Sequence, residues 1–395
     1  MHILLLADGR SPTTRRWLAS LLEGGLEVSL ISTFPCQQPD GLRSFDVMPV
    51  AFGALGGTQA TPVPGGGWLR EQVKRFRPAF LGLRHLAGPL SVLRAAGAFR
   101  ARAAELAPDI IHALRIPFEG MLASYAPPKA RLVVSIWGND LTLHAQGSPF
   151  MRALSQRCLR RADGLMADAS RDLRLGRLWG LRPECPTLAV PGSGGLDLKV
   201  LHKTGDAFDM GLPAGVPLVI NPRGLRPGSV YHETFFEAAS FVLRSMPEVL
   251  FLCPAMAGQP EALTWVERFG LKRHVRLMPT LPQTQLWDLF HNAQVFVSPS
   301  AHDGTPNTFL EAIACGCFPI CGDIESLREW VVPGVNGLLV PPTSPDVLAG
   351  AIQQALEQPA LRSRAAAYNA RLIAERAEVS AVRQQVLAFY EALAG

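Results

Sequence analysis

The chain has 395 residues, 48% of them hydrophobic and 18% charged, with a formal net charge of +5; this length suits two α/β domains of roughly 180 residues each, and the composition excludes a disordered or fibrous chain. Residues 1–200 carry 24 Lys and Arg against 15 Asp and Glu, whereas residues 201–395 carry 14 against 18, so a phosphorylated substrate or an anionic membrane would be drawn to the first half. Nucleic acid is excluded as a partner, because stacking aromatics are sparse among the basic residues.

The chain opens on Met1-His2-Ile3-Leu4-Leu5-Leu6-Ala7, which reads as a first strand and not as a basic leader, so a cytoplasmic protein is expected. No apolar run approaches the ~20 residues that cross a bilayer. Short β-rich runs then alternate with helical patterns, the signature of parallel sheets with crossover helices. A first series predicts strands over His2–Leu6, Glu27–Ile31, Ile110–Ala113, Leu132–Ile136, Gly164–Ala167 and Thr187–Val190, with helices such as Thr13–Leu22 and Phe150–Arg161. The Gly- and Pro-rich stretch Gly53–Gly67 interrupts it and predicts a mobile loop of the kind that borders binding sites. Turn formers from Pro191 to Gly195 place a linker at about 192–212. The second series is Leu218–Asn221, Leu250–Cys253, His274–Leu277, Val295–Val297 and Phe318–Cys321, followed after Pro345 by helical patterns alone, of which Ser380–Leu393 is the last. Seven cysteines, including Cys315, Cys317 and Cys321, match no zinc or disulfide spacing and read as small buried residues. Nine scattered histidines and the lack of any Asp-x-Asp leave no expectation of a metal site.

The segment from Ser298 to Ile320 carries the chemistry. It reads as a strand, a polar loop and a helix with Thr305 as N-cap and Pro306 as its first residue. Pro306 has no N–H, so the orphan donors at this helix start are those of Asn307 and Thr308, above the carboxyl edge of the sheet. That is a phosphate site. Asp303 precedes it, and Glu311, eight positions on, lies about a turn and a half inside the helix. Two carboxylates flanking one anion site suit a nucleotide diphosphate sugar, one taking sugar hydroxyls and the other ribose hydroxyls.

This segment resembles the Glu-x7-Glu signature of the family-four retaining glycosyltransferases, with Asp303 in place of the first Glu. The resemblance extends over nearly the whole chain, through Arg15–Leu18, Ser135–Asp140, Arg161–Ser170, Pro191–Asp197, Arg223–Leu225 and Pro333–Pro341. It implies a GT-B fold, two Rossmann-like α/β domains facing each other across a cleft: residues 1–196 for the acceptor, 197–376 for the nucleotide sugar, and 377–395 as a helix returning to the first domain. It implies transfer of a hexosyl group from a nucleotide diphosphate sugar, UDP by family frequency, to a hydroxyl of a glycan or lipid-linked acceptor. The anomeric configuration is kept, and there is no metal and no cofactor beyond the sugar nucleotide. The implied donor set is Asp303 on the sugar hydroxyls, Gly304, Thr305, Asn307 and Thr308 on the sugar and diphosphate, Arg223 on the diphosphate and Glu311 on the ribose.

The chain departs from the pattern in three places. Gly228 stands where relatives carry a Lys five positions after the Arg, which makes Arg226 the substitute. Trp137-Gly138-Asn139-Asp140 replaces His-Gly-x-Asp, giving Trp137 a stacking role and Asp140 a polar role in catalysis. Asp8-Gly9-Arg10-Ser11 replaces a Gly-Gly turn and leaves Gly9 to let the backbone approach a phosphate. A nucleotide-sugar 2-epimerase of the same fold and a non-catalytic sugar-nucleotide binding protein remain open beside the transferase. Finally, residues 70–102 interleave Arg70, Lys74, Arg75, Arg77, Arg84, Arg94, Arg100 and Arg102 with Phe76, Phe80, Leu81, Leu83 and Leu86. That mixture carries the expectation of peripheral contact with the anionic inner face of the cell membrane.

Overall fold

The computed structural model describes residues 1–51, 53, 77–201, 211–213 and 215–395. The expected loop from residue 54 to 67, the basic residues Arg70, Lys74 and Arg75, and part of the expected linker lie outside the described residues. The chain divides into two compact units, Met1–Gly195 together with Val382–Gly395, and Leu196–Ala381.

The first unit runs β1 (His2–Ala7), α1 (Pro12–Glu23), β2 (Glu27–Ser32), β3 (Ser44–Val47), α2 (Arg77–Leu106), β4 (Ile110–Ala113), β5 (Arg131–Ile136), α3 (Pro149–Arg161), β6 (Gly164–Ala167), α4 (Ser170–Leu178) and β7 (Thr187–Ala189). Its strands form one parallel sheet in the order β3-β2-β1-β4-β5-β6-β7. Strand β1 is apolar at successive positions because both faces of the sheet are covered. Leu4 and Leu6 enter one core with Ile111, Val134 and Phe99, while Ile3 and Leu5 enter the other with Trp17, Leu18 and Val133. Helix α1 starts at Pro12 and α3 at Pro149, where a fixed φ suits the first turn. In α3 the Ser148 hydroxyl also accepts the Met151 N–H at 3.1 Å.

The second unit runs β8 (Leu218–Ile220), α5 (His232–Val242), β9 (Leu250–Cys253), α6 (Pro260–Arg268), β10 (Val275–Leu277), α7 (Gln283–Asn292), β11 (Val295–Ser298), α8 (Asn307–Ala314), β12 (Phe318–Gly322), β13 (Leu338–Val340), α9 (Pro345–Glu357) and α10 (Pro359–Arg376). The sheet is again parallel, in the order β10-β9-β8-β11-β12-β13, with an apolar core on each face. The last helix, α11 (Val379–Ala394), crosses the unit boundary in its first turn and buries Val382, Val386, Tyr390 and Leu393 in the second core of the first unit. There the Tyr390 hydroxyl lies 2.6 Å from His112 Nδ1, and His112 Nε2 lies 2.9 Å from the Ser135 hydroxyl.

Strand direction fixes where each site can form. In the first sheet the winding reverses between β1 and β4, and in the second between β8 and β11. Loops leaving the carboxyl ends of such a pair diverge to opposite faces and open a crevice.

Candidate active site

In the second unit, the loop after β8 carries Arg223 and the loop after β11 carries Asp303. The two loops are pinned to each other: Ala301 N–H donates to the Ser229 carbonyl at 2.8 Å and Tyr231 N–H to the Pro299 carbonyl at 3.0 Å. Gly322, at the end of β12, is required by the same packing, since a Cβ there would lie 1.9 Å from the Ser300 carbonyl oxygen. The outcome is an ion pair between Arg223 Nη2 and Asp303 Oδ2, both largely buried. Arg223 Nη1 also reaches the Thr308 hydroxyl at 3.4 Å. The second Asp303 oxygen accepts the Gly304 N–H at 3.1 Å.

Helix α8 begins at Asn307 with Pro306 in the capping position, one residue later than the expected Thr305 cap and Pro306 start. The Thr305 side chain is buried and instead accepts a hydrogen bond from Trp330 Nε1 at 3.0 Å. The N–H groups of Phe309 and Leu310 both return to the Pro306 carbonyl, so those of Asn307 and Thr308 are the outward donors of the helix start. Asn307 and Thr308 are half-buried and lie beside the Arg223–Asp303 pair. Glu311 is only 2% exposed, one of its oxygens accepting from Gln283 Nε2 at 2.7 Å. It is a buried residue oriented by a neighbouring helix, not a solvent-lined one. Arg226 is exposed, donates from Nε to the Arg223 carbonyl at 3.2 Å, and has its pKa lowered chiefly by the Arg223 charge. Two groups beside this cluster gave no sequence signal. Asn221 and His232 are buried, with Asn221 Nδ2 3.4 Å from His232 Nδ1, and burial together with the Arg223 charge lowers the His232 pKa to about 4.

In the first unit, the loops after β1, β4 and β5 surround a cavity of about 220 Å³ whose walls include Asp8, Arg10, Phe34, Arg84, Arg115 and Trp137. Trp137 thus lines a cavity as well as packing against Gly192, where a Cβ would meet its ring at 3.2 Å. Asp140 does not line it. The Asp140 carboxylate is wholly buried and accepts from Arg115 Nη2 at 2.7 Å, from Ile116 N–H at 3.1 Å and from Trp137 N–H at 3.2 Å. Its oxygens tie the loop after β4 to the loop after β5. Gly9 is likewise held by its neighbours. Its N–H donates to the Ser32 hydroxyl at 3.0 Å and a Cβ would lie 2.6 Å from Cys36 Sγ, so this glycine serves close packing.

A family model described as "Glycosyl transferases group 1" matches residues 233–372, and one described as "Glycosyl transferase 4-like" matches residues 72–169. Among curated relatives, a D-inositol 3-phosphate glycosyltransferase from Thermobispora bispora is 27% identical over 209 residues, covering 50% of this chain and 49% of the relative. The chain therefore spans about half the length of that relative. A second such enzyme, from Frankia alni, is 36% identical over 110 residues, 28% of this chain and 27% of its own. Among solved structures, sucrose-phosphate synthase from Thermosynechococcus elongatus superposes with a TM-score of 0.74 at 19% identity, covering 100% of this chain and 99% of that one. This likeness speaks for the fold alone. With a glycosyltransferase model matched in each half, and two parallel-sheet units of the GT-B type, the chain belongs to the family-four, GT-B glycosyltransferases.

Proposed function

We propose that the protein transfers a sugar from a nucleotide diphosphate sugar to an acceptor hydroxyl with retention of the anomeric configuration. The observation that carries this reading is the meeting of Arg223, Asp303 and the start of α8 where the second sheet reverses its winding. A diphosphate laid on the outward N–H groups of Asn307 and Thr308 would compete with Asp303 for the Arg223 guanidinium. That exchange frees the carboxylate to accept a hydrogen bond from a donor-sugar hydroxyl. Arg223 and the helix start then stabilise the charge that grows on the leaving diphosphate, a preorganised electrostatic role that needs no metal. Glu311, fixed by Gln283, takes the ribose. A solved structure with a TM-score of 0.70 at 17% identity, covering 99% of this chain and 100% of its own, is that of Anabaena HepE in complex with UDP-glucose, which favours UDP as the base to try first.

In this reading the first unit receives the acceptor, residues 197–376 form the donor domain, and the exposed part of α2 provides peripheral membrane contact. The deciding experiment is a panel of sugar nucleotides, with release of the nucleoside diphosphate and the anomeric configuration of the product followed by NMR, with and without EDTA. Release that is unchanged by EDTA, with an axial or equatorial linkage matching the donor, is the expected result. A strict need for manganese or magnesium, or an inverted product, would overturn the metal-free retaining mechanism.

A further inference from the structure

The cavity of the first unit contains more hydrogen-bonding capacity than the protein uses. Three buried polar atoms in its walls, Arg84 Nε, Arg115 Nε and Thr14 Oγ1, have no hydrogen-bond partner among the described residues. Buried donors of this kind are uncommon in folded proteins and point to a ligand when several share one cavity. The charge inventory makes the ligand an anion. Arg10 is paired with Asp8 at 3.0 Å and Arg115 with Asp140 at 2.7 Å. Arg84 has no ion-pair partner among the described residues and instead lies over the Phe118 ring at 4.8 Å. Glu119, the other carboxylate of the cavity wall, is buried and accepts from the Thr33 hydroxyl at 2.8 Å, and burial pushes its pKa up.

The backbone is bent to hold this arrangement. Phe118 sits at φ 68°, a conformation that a bulky residue adopts only under constraint. Its ring reaches α2 at Gly88, where a Cβ would lie 2.5 Å away. Gly88 is four residues, one helical turn, beyond Arg84, so the same ring that needs Gly88 forms the floor under the guanidinium. The place is also the first sheet's own reversal point, between β1 and β4.

We propose that this cavity is an anion subsite in which Arg84, with Arg115 and the Thr14 hydroxyl beside it, grips an oxyanion, phosphate or carboxylate, carried by the acceptor. The proposal rests on the reading of the first unit as the acceptor unit, and it gives that acceptor a chemical class. A guanidinium fork matches either oxyanion through paired N–H donors, and Trp137, in the same wall, offers an apolar face to the sugar or lipid part that bears the charge.

The test uses the full chain and thermal unfolding at matched ionic strength, with inorganic phosphate, acetate and glycerol as probes, saturating UDP present, and the variants Arg84→Gln, Arg84→Lys and Arg223→Gln. At about ten times its dissociation constant a bound probe raises the melting temperature by roughly 2–4 °C. Phosphate or acetate should do so in the wild type and in Arg223→Gln, glycerol should not, and the larger of the two shifts identifies the oxyanion. Arg84→Gln should abolish the shift and Arg84→Lys should keep part of it; the unshifted melting temperatures of both variants report whether they fold. Equal shifts in wild type and Arg84→Gln, a shift lost in Arg223→Gln but kept in Arg84→Gln, or no shift from either anion would each overturn the subsite. Failure of UDP itself to stabilise the wild type would count against the donor reading only, because the Arg84 dependence can be measured without UDP.

Discussion

Arg223 and Asp303 neutralise one another in this structure, so removing either leaves the other with an uncompensated charge in a largely buried place. The two losses should nevertheless differ in kind. Arg223→Gln should weaken UDP binding by about 1.5–3 kcal/mol, the range of a charged hydrogen bond, or roughly 10- to 150-fold. Asp303→Asn should leave UDP affinity within about threefold while kcat falls by an order of magnitude or more, because in the proposed role its carboxylate meets the sugar and not the nucleotide. Calorimetric titration of UDP and steady-state turnover on both variants decide this, and equal losses of UDP affinity would contradict the separate roles. Gln283 adds a third check. Its amide orients Glu311 across 2.7 Å, so Gln283→Ala should weaken UDP binding without touching any ligand atom, and a titration that matches wild type would remove Glu311 from the nucleotide site.

At the scale of the element, α2 is the helix whose surface is out of keeping with a soluble face. Leu86, Leu90 and Leu93 are 59%, 49% and 48% exposed, and the spacing puts them along one side of the helix. Arg94 and Arg100, also exposed, follow directly. An apolar stripe bordered by cations is the form of an interfacial helix, so Leu86→Glu with Leu90→Glu should abolish co-sedimentation with vesicles containing phosphatidylserine. The wild type should sediment less at high salt, since each basic residue near an anionic leaflet contributes about 1 kcal/mol and is screened over a Debye length. Sedimentation indifferent to lipid charge, salt and both substitutions would show that the stripe is not a membrane surface. The central strands were legible in the sequence because a parallel strand buried on both faces is a continuous apolar run. Ser44–Val47 and Leu338–Val340 escaped notice, being edge strands of only four and three residues. The stretch from Asp303 to Glu311 was legible for a local reason, its residues sharing one loop and one helix, whereas Arg223, 80 positions from Asp303, was reached only through the family resemblance. Thr305 was misplaced because its partner, Trp330, is 25 positions away. Arg84, Thr14 and Arg115 come together only through the winding of the first sheet, and no local spacing announces them.

For the molecule as a whole, three histidines set the acid limit. Burial lowers His112 to about 3, and burial with neighbouring arginines lowers His144 and His232 to about 4. A histidine whose folded pKa lies below its unfolded value near 6.5 contributes stability that is fully present above 6.5 and is lost as pH falls toward the folded pKa. Between pH 6.5 and about 4 each should cost up to about 1.4 kcal/mol per pH unit, His112 and His144 in the first unit and His232 in the second. Thermal unfolding between pH 7.5 and 4.5 should therefore show falling midpoints, with His112→Gln flattening the slope of the first unit. A midpoint independent of pH over that range would contradict the buried neutral histidines.

Helix α11 has one more consequence, which concerns synthesis. Val382, Val386 and Tyr390 share a core with Ile3, Leu5, Val28 and Val133, yet the whole of Leu196–Ala381 is translated between those two sets of residues. At about 5–20 residues per second, a ribosome leaves the part of this face that α1 does not cover without its last helix for roughly ten seconds or longer while the second unit emerges. The nascent chain thus exposes a broad apolar surface during the interval in which a complete folding unit is being made downstream. A chain stopped after Ala381 should accordingly bind chaperones and aggregate, and a peptide spanning 379–394 added during refolding should restore its solubility. Equal solubility of the shortened and full chains would show that the first sheet needs no such late cover.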